Sequence, residues 1–248
     1  MSDFAVTRRT VVKHVVPSRF LPEGERSLRI YLPPGYQETI SYPVIYCQDG
    51  EDFFNFGRIA TIGQGLILEE DWEPFVIVGV DVDKRLRTSE YMPGGSRHEV
   101  YTRFFAEEMV PDVERHFSVR RTPDDRLLAG DSLGAAVCLS LSLQRRDLFN
   151  RILSLSGAYY DHSMEQAKAA GDLSGLNLWM AVGLQETAFE TDRGTFDFVT
   201  LNREMHRLLV SKGARVDYAE RDGEHKWGFW QQLLPEALAP FLGPARRY

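Results

Sequence analysis

The chain has 248 residues, 43% of them hydrophobic and 26% charged, and 29 basic against 36 acidic side chains give a net charge of −7. That is apolar material for one full-sized core, so a single α/β domain over residues 1–248 is expected; the acidic balance, with no long basic run, argues against a nucleic-acid partner. No eighteen apolar residues run together and 1–9 carries no apolar block of leader length, so neither a membrane span nor export is expected, and a cytoplasmic location is.

In chain order, residues 10–16 read as a strand with no helix before the next one, which suggests an antiparallel edge. Short β-type runs follow at 28–32, 44–47, 75–80, 127–129, 152–155 and 178–182. Several are apolar at consecutive positions, as strands covered on both faces are, so a mostly parallel sheet with helices on both sides is expected. Residues 82–100 are the longest irregular stretch, and long loops at the functional edge of a sheet often shape a pocket. Phe198, Leu201, Met205 and Leu208 recur at helical spacing before Gly213, predicting an amphipathic helix over about 195–212. Residues 214–219 then alternate like a last strand. Cys47 and Cys138 lie far apart in apolar runs and read as core thiols in a reducing compartment, not a disulfide or metal pair.

The most informative segment is Gly130-Asp131-Ser132-Leu133-Gly134, set between an apolar run and the small, helix-compatible residues Ala135-Ala136-Val137-Cys138-Leu139. A serine on a tight strand-to-helix turn is held in strained backbone angles that present its hydroxyl at the sheet's carboxyl edge. The pentapeptide alone arises by chance in roughly one chain in ten of this length, so its context carries the weight.

A serine hydroxyl needs a base. His206 sits inside the amphipathic helix and His162 in a polar loop, whereas His225 falls in Gly223-Glu224-His225-Lys226-Trp227-Gly228-Phe229-Trp230, after the last strand. A base is expected there when the chain order is serine, acid, histidine, with Trp227 and Trp230 pinning the loop. The acid should follow the strand at 178–182; Glu186 is favoured, with Glu190 and Asp192 as alternatives in the same acidic loop. For an oxyanion hole, the amide of Leu133 would be joined by that of Glu51 or Asp52 in the turn Gln48-Asp49-Gly50-Glu51-Asp52. Asp49, Glu51 and Asp52 could instead hold a divalent cation, but without a histidine they are a weak metal signal, and no metal or cofactor is expected.

Together these segments resemble the esterases related to esterase D, the enterochelin esterase-like α/β-hydrolases that also include S-formylglutathione hydrolases, feruloyl esterase domains and antigen 85 mycolyltransferases. The resemblance rests on Tyr42-Pro43-Val44-Ile45-Tyr46 leading to Asp49-Gly50, on Arg87-Thr88-Ser89-Glu90-Tyr91-Met92-Pro93, and on Glu108-Met109-Val110-Pro111. The Ser132 pentapeptide, Leu155-Ser156-Gly157 and the terminal Gly-x-His-x-Trp-x-x-Trp complete it. It implies an α/β-hydrolase sandwich with an antiparallel N-terminal edge, Ser132 and His225 as nucleophile and base, and Arg87 and Glu90 near the substrate pocket, with Trp227 beside them. Two departures stand out: Gly134-Ala135 where many relatives have Gly-Gly, and a glutamate where the acid is usually aspartate.

The expected activity is that of a cofactor-free serine carboxylesterase acting on a small-molecule ester. A siderophore trilactone is one substrate class, since Lys84, Arg85 and Arg87 could attract an anionic ferric complex; small acyl, aryl or feruloyl esters are another. A non-catalytic binding protein on the same fold is the alternative of a different class.

Overall fold

The computed structural model describes residues 9–244, so positions 1–8 of the N-terminal stretch considered above lie outside the described residues. Ten strands run in chain order: β1 (Thr10–Pro17), β2 (Glu25–Leu32), β3 (Val44–Cys47), β4 (Val76–Val80), β5 (Arg126–Asp131), β6 (Arg151–Leu155), β7 (Asn177–Gly183), β8 (Phe189–Thr191), β9 (Gly194–Phe196) and β10 (Arg215–Arg221). Eight of them form one sheet in the order β1-β2-β4-β3-β5-β6-β7-β10, and β8 and β9 pair as a separate hairpin. β1 lies antiparallel on β2, with Thr10 opposite Leu32, and β2 lies antiparallel on β4. All other neighbours in the main sheet are parallel.

The central strands are apolar at successive positions because each side of the sheet has its own core. Val44, Tyr46, Leu128, Ile152, Met180 and Val182 face one core; Ile45, Cys47, Leu127, Ala129, Leu153, Trp179 and Ala181 face the other. This is the two-residue period of a strand read against two apolar layers.

The helices are α1 (Gly50–Asn55), α2 (Ile59–Glu69), α3 (Arg87–Tyr91), α4 (His98–Arg103), α5 (Val110–His116), α6 (Leu133–Gln144), α7 (Asp161–Ala169), α8 (Phe198–Ser211) and α9 (Trp227–Leu242). Side chains of α1, α2 and α9 fill the second core; those of α4 to α8 fill the first. A π-helical turn, Phe104–Met109, joins α4 to α5.

Two local differences from expectation have clear causes. The amphipathic helix starts at Phe198, not 195, because the Asp197 side chain accepts a hydrogen bond from the Thr200 amide (3.0 Å) and caps it. Residues 82–100 are not a continuous loop. The Arg87 amide donates to the Asp83 carbonyl to open α3, and Pro93-Gly94, with Gly94 at φ +83°, separates α3 from α4. A five-residue helix shows too little periodicity to be read from sequence.

Because β3, β5, β7 and β10 share a direction, the segments that leave them, 48–52, 132–133, 184–186 and 222–225, gather at one edge of the sheet. Such a carboxyl edge is where open parallel sheets build their sites. Among the described residues no helix is long and apolar enough to cross a membrane.

Candidate active site

β5 passes into α6 through Ser132 alone, whose backbone sits at φ 51°, ψ −119°. This left-handed φ costs on the order of 1–3 kcal/mol for a non-glycine residue and persists only where neighbours over-determine it. They do so here: the Ser132 amide donates to the Leu155 carbonyl (2.9 Å) and its own carbonyl accepts from the Ala158 amide (2.9 Å). The flanking glycines follow from the same turn. A Cβ on Gly130 would lie 2.2 Å from the Gly134 carbonyl carbon, and one on Gly134 would press the Gln48 Cβ at 3.2 Å.

The structure brings Ser132, His225 and Glu186 together. The Ser132 hydroxyl is 3.0 Å from His225 Nε2, and His225 Nδ1 is 2.6 Å from Glu186 Oε2. Glu186 is 1% exposed. Its other oxygen, Oε1, accepts from the Gly183 amide (2.8 Å) and from the Ser156 hydroxyl (2.7 Å), and Trp230 Nε1 donates to the Ser156 oxygen (2.8 Å). The carboxylate is therefore held by three donors, one of which is the imidazole, and its orientation is fixed before any ligand arrives.

The imidazole is fixed as well. Its ring packs against Phe198, Phe189 and Trp230 at centroid distances of 4.2, 4.3 and 4.9 Å. Trp227 lies one step out, edge-on to Phe53 (4.7 Å) and to Trp230 (5.5 Å), so the tryptophan pair ties the His225 loop to α1. Glu190 and Asp192 instead ride the exposed β8–β9 hairpin. His206 stacks on Tyr218 (4.6 Å), and His162 is exposed beside Glu165 (3.1 Å).

Two helix starts face this group. Leu133 opens α6 and Gly50 opens α1, after Asp49 at φ 50°. First-turn amides have no intrahelical acceptor. The Asp52 amide, however, donates to the Asp49 carbonyl (2.9 Å), which commits it and favours Glu51 of the two expected donors on that turn. The turn is clamped from below: Arg87 pairs both Asp49 oxygens (2.7 and 2.8 Å), and Lys84 reaches Asp49 (3.3 Å) and Asp52 (2.5 Å). Glu51 pairs with Arg29 (3.3 Å). The three acids that could have formed a cation cluster are thus each taken by a basic side chain.

Arg87 lies at the site as the resemblance implied, but as the clamp on Asp49. Glu90 does not line a cleft. It is fully buried, its carboxylate spanning Arg26 (2.8 and 3.0 Å) with Arg97 at 3.2 Å, so it anchors β2 beneath the 82–100 segment. The sequence reading missed Ser156 and Asp131. Ser156 directly follows β6 with φ 47°, as Ser132 follows β5, and the Leu-Ser-Gly string was its one available signal. Asp131 is buried, its Oδ1 has no hydrogen-bond partner among the described residues, and burial first, then the nearby Asp49 charge, push its carboxyl well above the usual range.

The chain is similar to several known proteins. The protein YjcH of Bacillus subtilis (strain 168), carried as uncharacterized, is 36% identical over 220 residues, spanning 88% of this chain and 92% of that one. Among solved structures, a ferulic acid esterase matches with a TM-score of 0.79 at 18% identity, over 93% of this chain and 97% of its own. The enterobactin esterase FES of Shigella flexneri matches with a TM-score of 0.77 at 21% identity, over 94% of this chain and 59% of its own. At these identities the two structures speak for the α/β-hydrolase fold. The family model described as "Putative esterase" matches residues 20–241, and the chain belongs to this esterase family.

Proposed function

We propose that this esterase is a serine carboxylesterase, folded as one α/β-hydrolase domain, with Ser132 as nucleophile, His225 as general base and acid, and Glu186 as the orienting carboxylate. The observation that carries it is the unbroken path from Ser132 Oγ to His225 Nε2 (3.0 Å) and from Nδ1 to Glu186 (2.6 Å). Ser132 Oγ attacks the ester carbonyl carbon while its proton passes to Nε2. The tetrahedral oxyanion accepts from the Leu133 and Glu51 amides. The intermediate collapses, the alcohol leaves with the proton from Nε2, and water repeats the cycle on the acyl-enzyme to release the acid. Glu186 accepts from Nδ1 and so holds the imidazole in the tautomer with its proton there. Every proton and bond is accounted for by side chains, backbone and water.

Small acyl or aryl esters are the substrate class that the site supports over a ferric trilactone. An anionic complex would draw on the charges of Lys84, Arg85 and Arg87, and these pair with Asp49 and Asp52, with Asp83, and with Asp49 respectively. Their field is largely cancelled locally. Phe189, partly exposed beside His225, and the half-buried Tyr160 and Phe196 nearby offer apolar contact instead. Cys47 and Cys138 are free thiols buried in opposite cores, which supports the cytoplasmic reading.

Ser132→Ala is the test, assayed with p-nitrophenyl acetate on protein whose fold is verified by circular dichroism. Removing the nucleophile of such a unit costs about a millionfold in kcat, so turnover should vanish. A variant keeping most of its rate would overturn the assignment. A wild-type protein inactive across a panel of acyl lengths would favour the non-catalytic binder.

A further inference from the structure

On the outer edge of the sheet, four strands from β5, His14 of β1 meets Asp112 and His116 of α5. His14 Nε2 is 2.6 Å from Asp112 Oδ2, and His116 Nδ1 is 3.4 Å from the same oxygen. One ligand atom from each residue lies within 4.8 Å of the others. Nothing in the ester chemistry above uses this cluster. His14 and Asp112 are 98 residues apart in the chain, so only the fold brings them together.

We infer that His14, Asp112 and His116 form a binding site for a divalent transition-metal ion of the zinc type, with water completing the shell. Two imidazoles and one carboxylate are a donor set suited to Zn2+, Cu2+ or Ni2+ and poorly suited to Mg2+ or Ca2+. Positions 112 and 116 are one helical turn apart and so project side by side, and the third ligand comes from a different element, which gives a triangular, not linear, arrangement. Ligand atoms about 2.0–2.2 Å from a tetrahedral ion stand roughly 3.3–3.6 Å apart. The trio therefore needs shifts of about an ångström, within the range of side-chain rotation.

The supports that a metal site requires are also present. Asp112 is held by Arg115 at Oδ1 (3.2 Å), which leaves Oδ2 directed at the two imidazoles. Phe117 packs edge-on against the His14 ring at 5.4 Å. His116 Nδ1 also lies 2.9 Å from the Asp112 carbonyl, so the backbone already holds this nitrogen beside Asp112, and coordination through it replaces that contact. His116 is about half exposed, so an ion can enter. Binding through His14 Nε2 moves that ring's proton to Nδ1 or to solvent and replaces the direct His14–Asp112 hydrogen bond by two bonds to the ion. An ion there would fasten the edge strand to α5.

Isothermal titration with Zn2+ tests this, on wild-type protein and on His14→Ala, His116→Ala and, as a control for a histidine elsewhere, His162→Ala. Esterase activity and circular dichroism report the fold of each variant. One Zn2+ per chain is expected for wild type and His162→Ala, with at least tenfold weaker binding in the other two, and Co2+ should give visible d–d absorption lost in the same pair. If His14→Ala does not fold, His14→Gln serves, and His116→Ala stands independently. No binding by wild type at millimolar Zn2+, or wild-type affinity retained in His14→Ala or His116→Ala, would overturn the site.

Discussion

Replacing Glu186 by glutamine keeps the volume of the side chain and removes its charge, and the hydrogen bonds around it decide the consequence. Oε1 accepts from two donors, the Gly183 amide and the Ser156 hydroxyl, whereas Oε2 accepts from His225 alone. The single carbonyl oxygen of glutamine will take the two-donor position, since the reverse orientation sets its NH2 against the Gly183 N–H. The NH2 then faces His225 Nδ1 and favours the tautomer with the proton on Nε2, which cannot accept the Ser132 proton. In a comparable triad that error costs about 10⁴ in kcat, or about 5.4 kcal/mol of barrier at about 1.36 kcal/mol per decade. Steady-state kinetics on p-nitrophenyl acetate, with melting temperature followed in parallel, should give a folded protein with kcat reduced by roughly four decades. A Glu186→Gln enzyme within tenfold of wild type would refute the orienting role and leave Glu190 or Asp192 to be tested.

Three further outcomes follow from named contacts. Ser156→Ala strips one donor from Glu186 and leaves the buried Trp230 indole N–H unpaired; at about 1–3 kcal/mol for such a group, and about 2–4 °C per kcal/mol at this chain length, melting should fall by roughly 2–12 °C, and an unchanged transition would contradict the network. Gly130→Ala drives a Cβ into the Gly134 backbone and should cost more than about 3 kcal/mol or prevent folding, while Gly65→Ala in α2, where nothing lies within 4 Å of the added carbon, should raise stability by about 0.5–1 kcal/mol. Differential scanning fluorimetry of the two should therefore move in opposite directions. For Asp131 the folded carboxyl titrates above its unfolded value, so its stabilising protonated form is complete below the ordinary aspartate range and is lost as pH rises through the elevated value. The melting temperature of Asp131→Asn relative to wild type should consequently improve between pH 5 and pH 8, and an identical difference at both would remove the argument.

The elements that could be read from sequence are those whose cause is local. The apolar run at 44–47 and Ile-Leu-Ser-Leu at 152–155 read as strands covered on both faces, and Gly130 and Gly134 around Ser132 announced a turn that excludes side chains. His225 stood out because chain order after the last strand restricts where a proposed base can lie. What stayed hidden depends on partners far along the chain. Glu90 looks like a pocket residue until Arg26, 64 positions away, closes on it. Glu186 is held beside His225 by Gly183 and Ser156 meeting one of its oxygens, while the exposed β8–β9 hairpin carries Glu190, contacts and a fold that no local pattern announces. Lys84 and Arg87 looked like part of a free positive patch because their carboxylate partners, Asp49 and Asp52, arrive from another strand end.

Intact-mass and peptide analysis after treatment with a fluorophosphonate bears most directly on whether the Ser132 oxygen is the activated nucleophile. One adduct per chain, mapped to Ser132 and lost in His225→Ala, is the predicted result. An adduct on another side chain, or an unmodified protein after prolonged exposure, would contradict it.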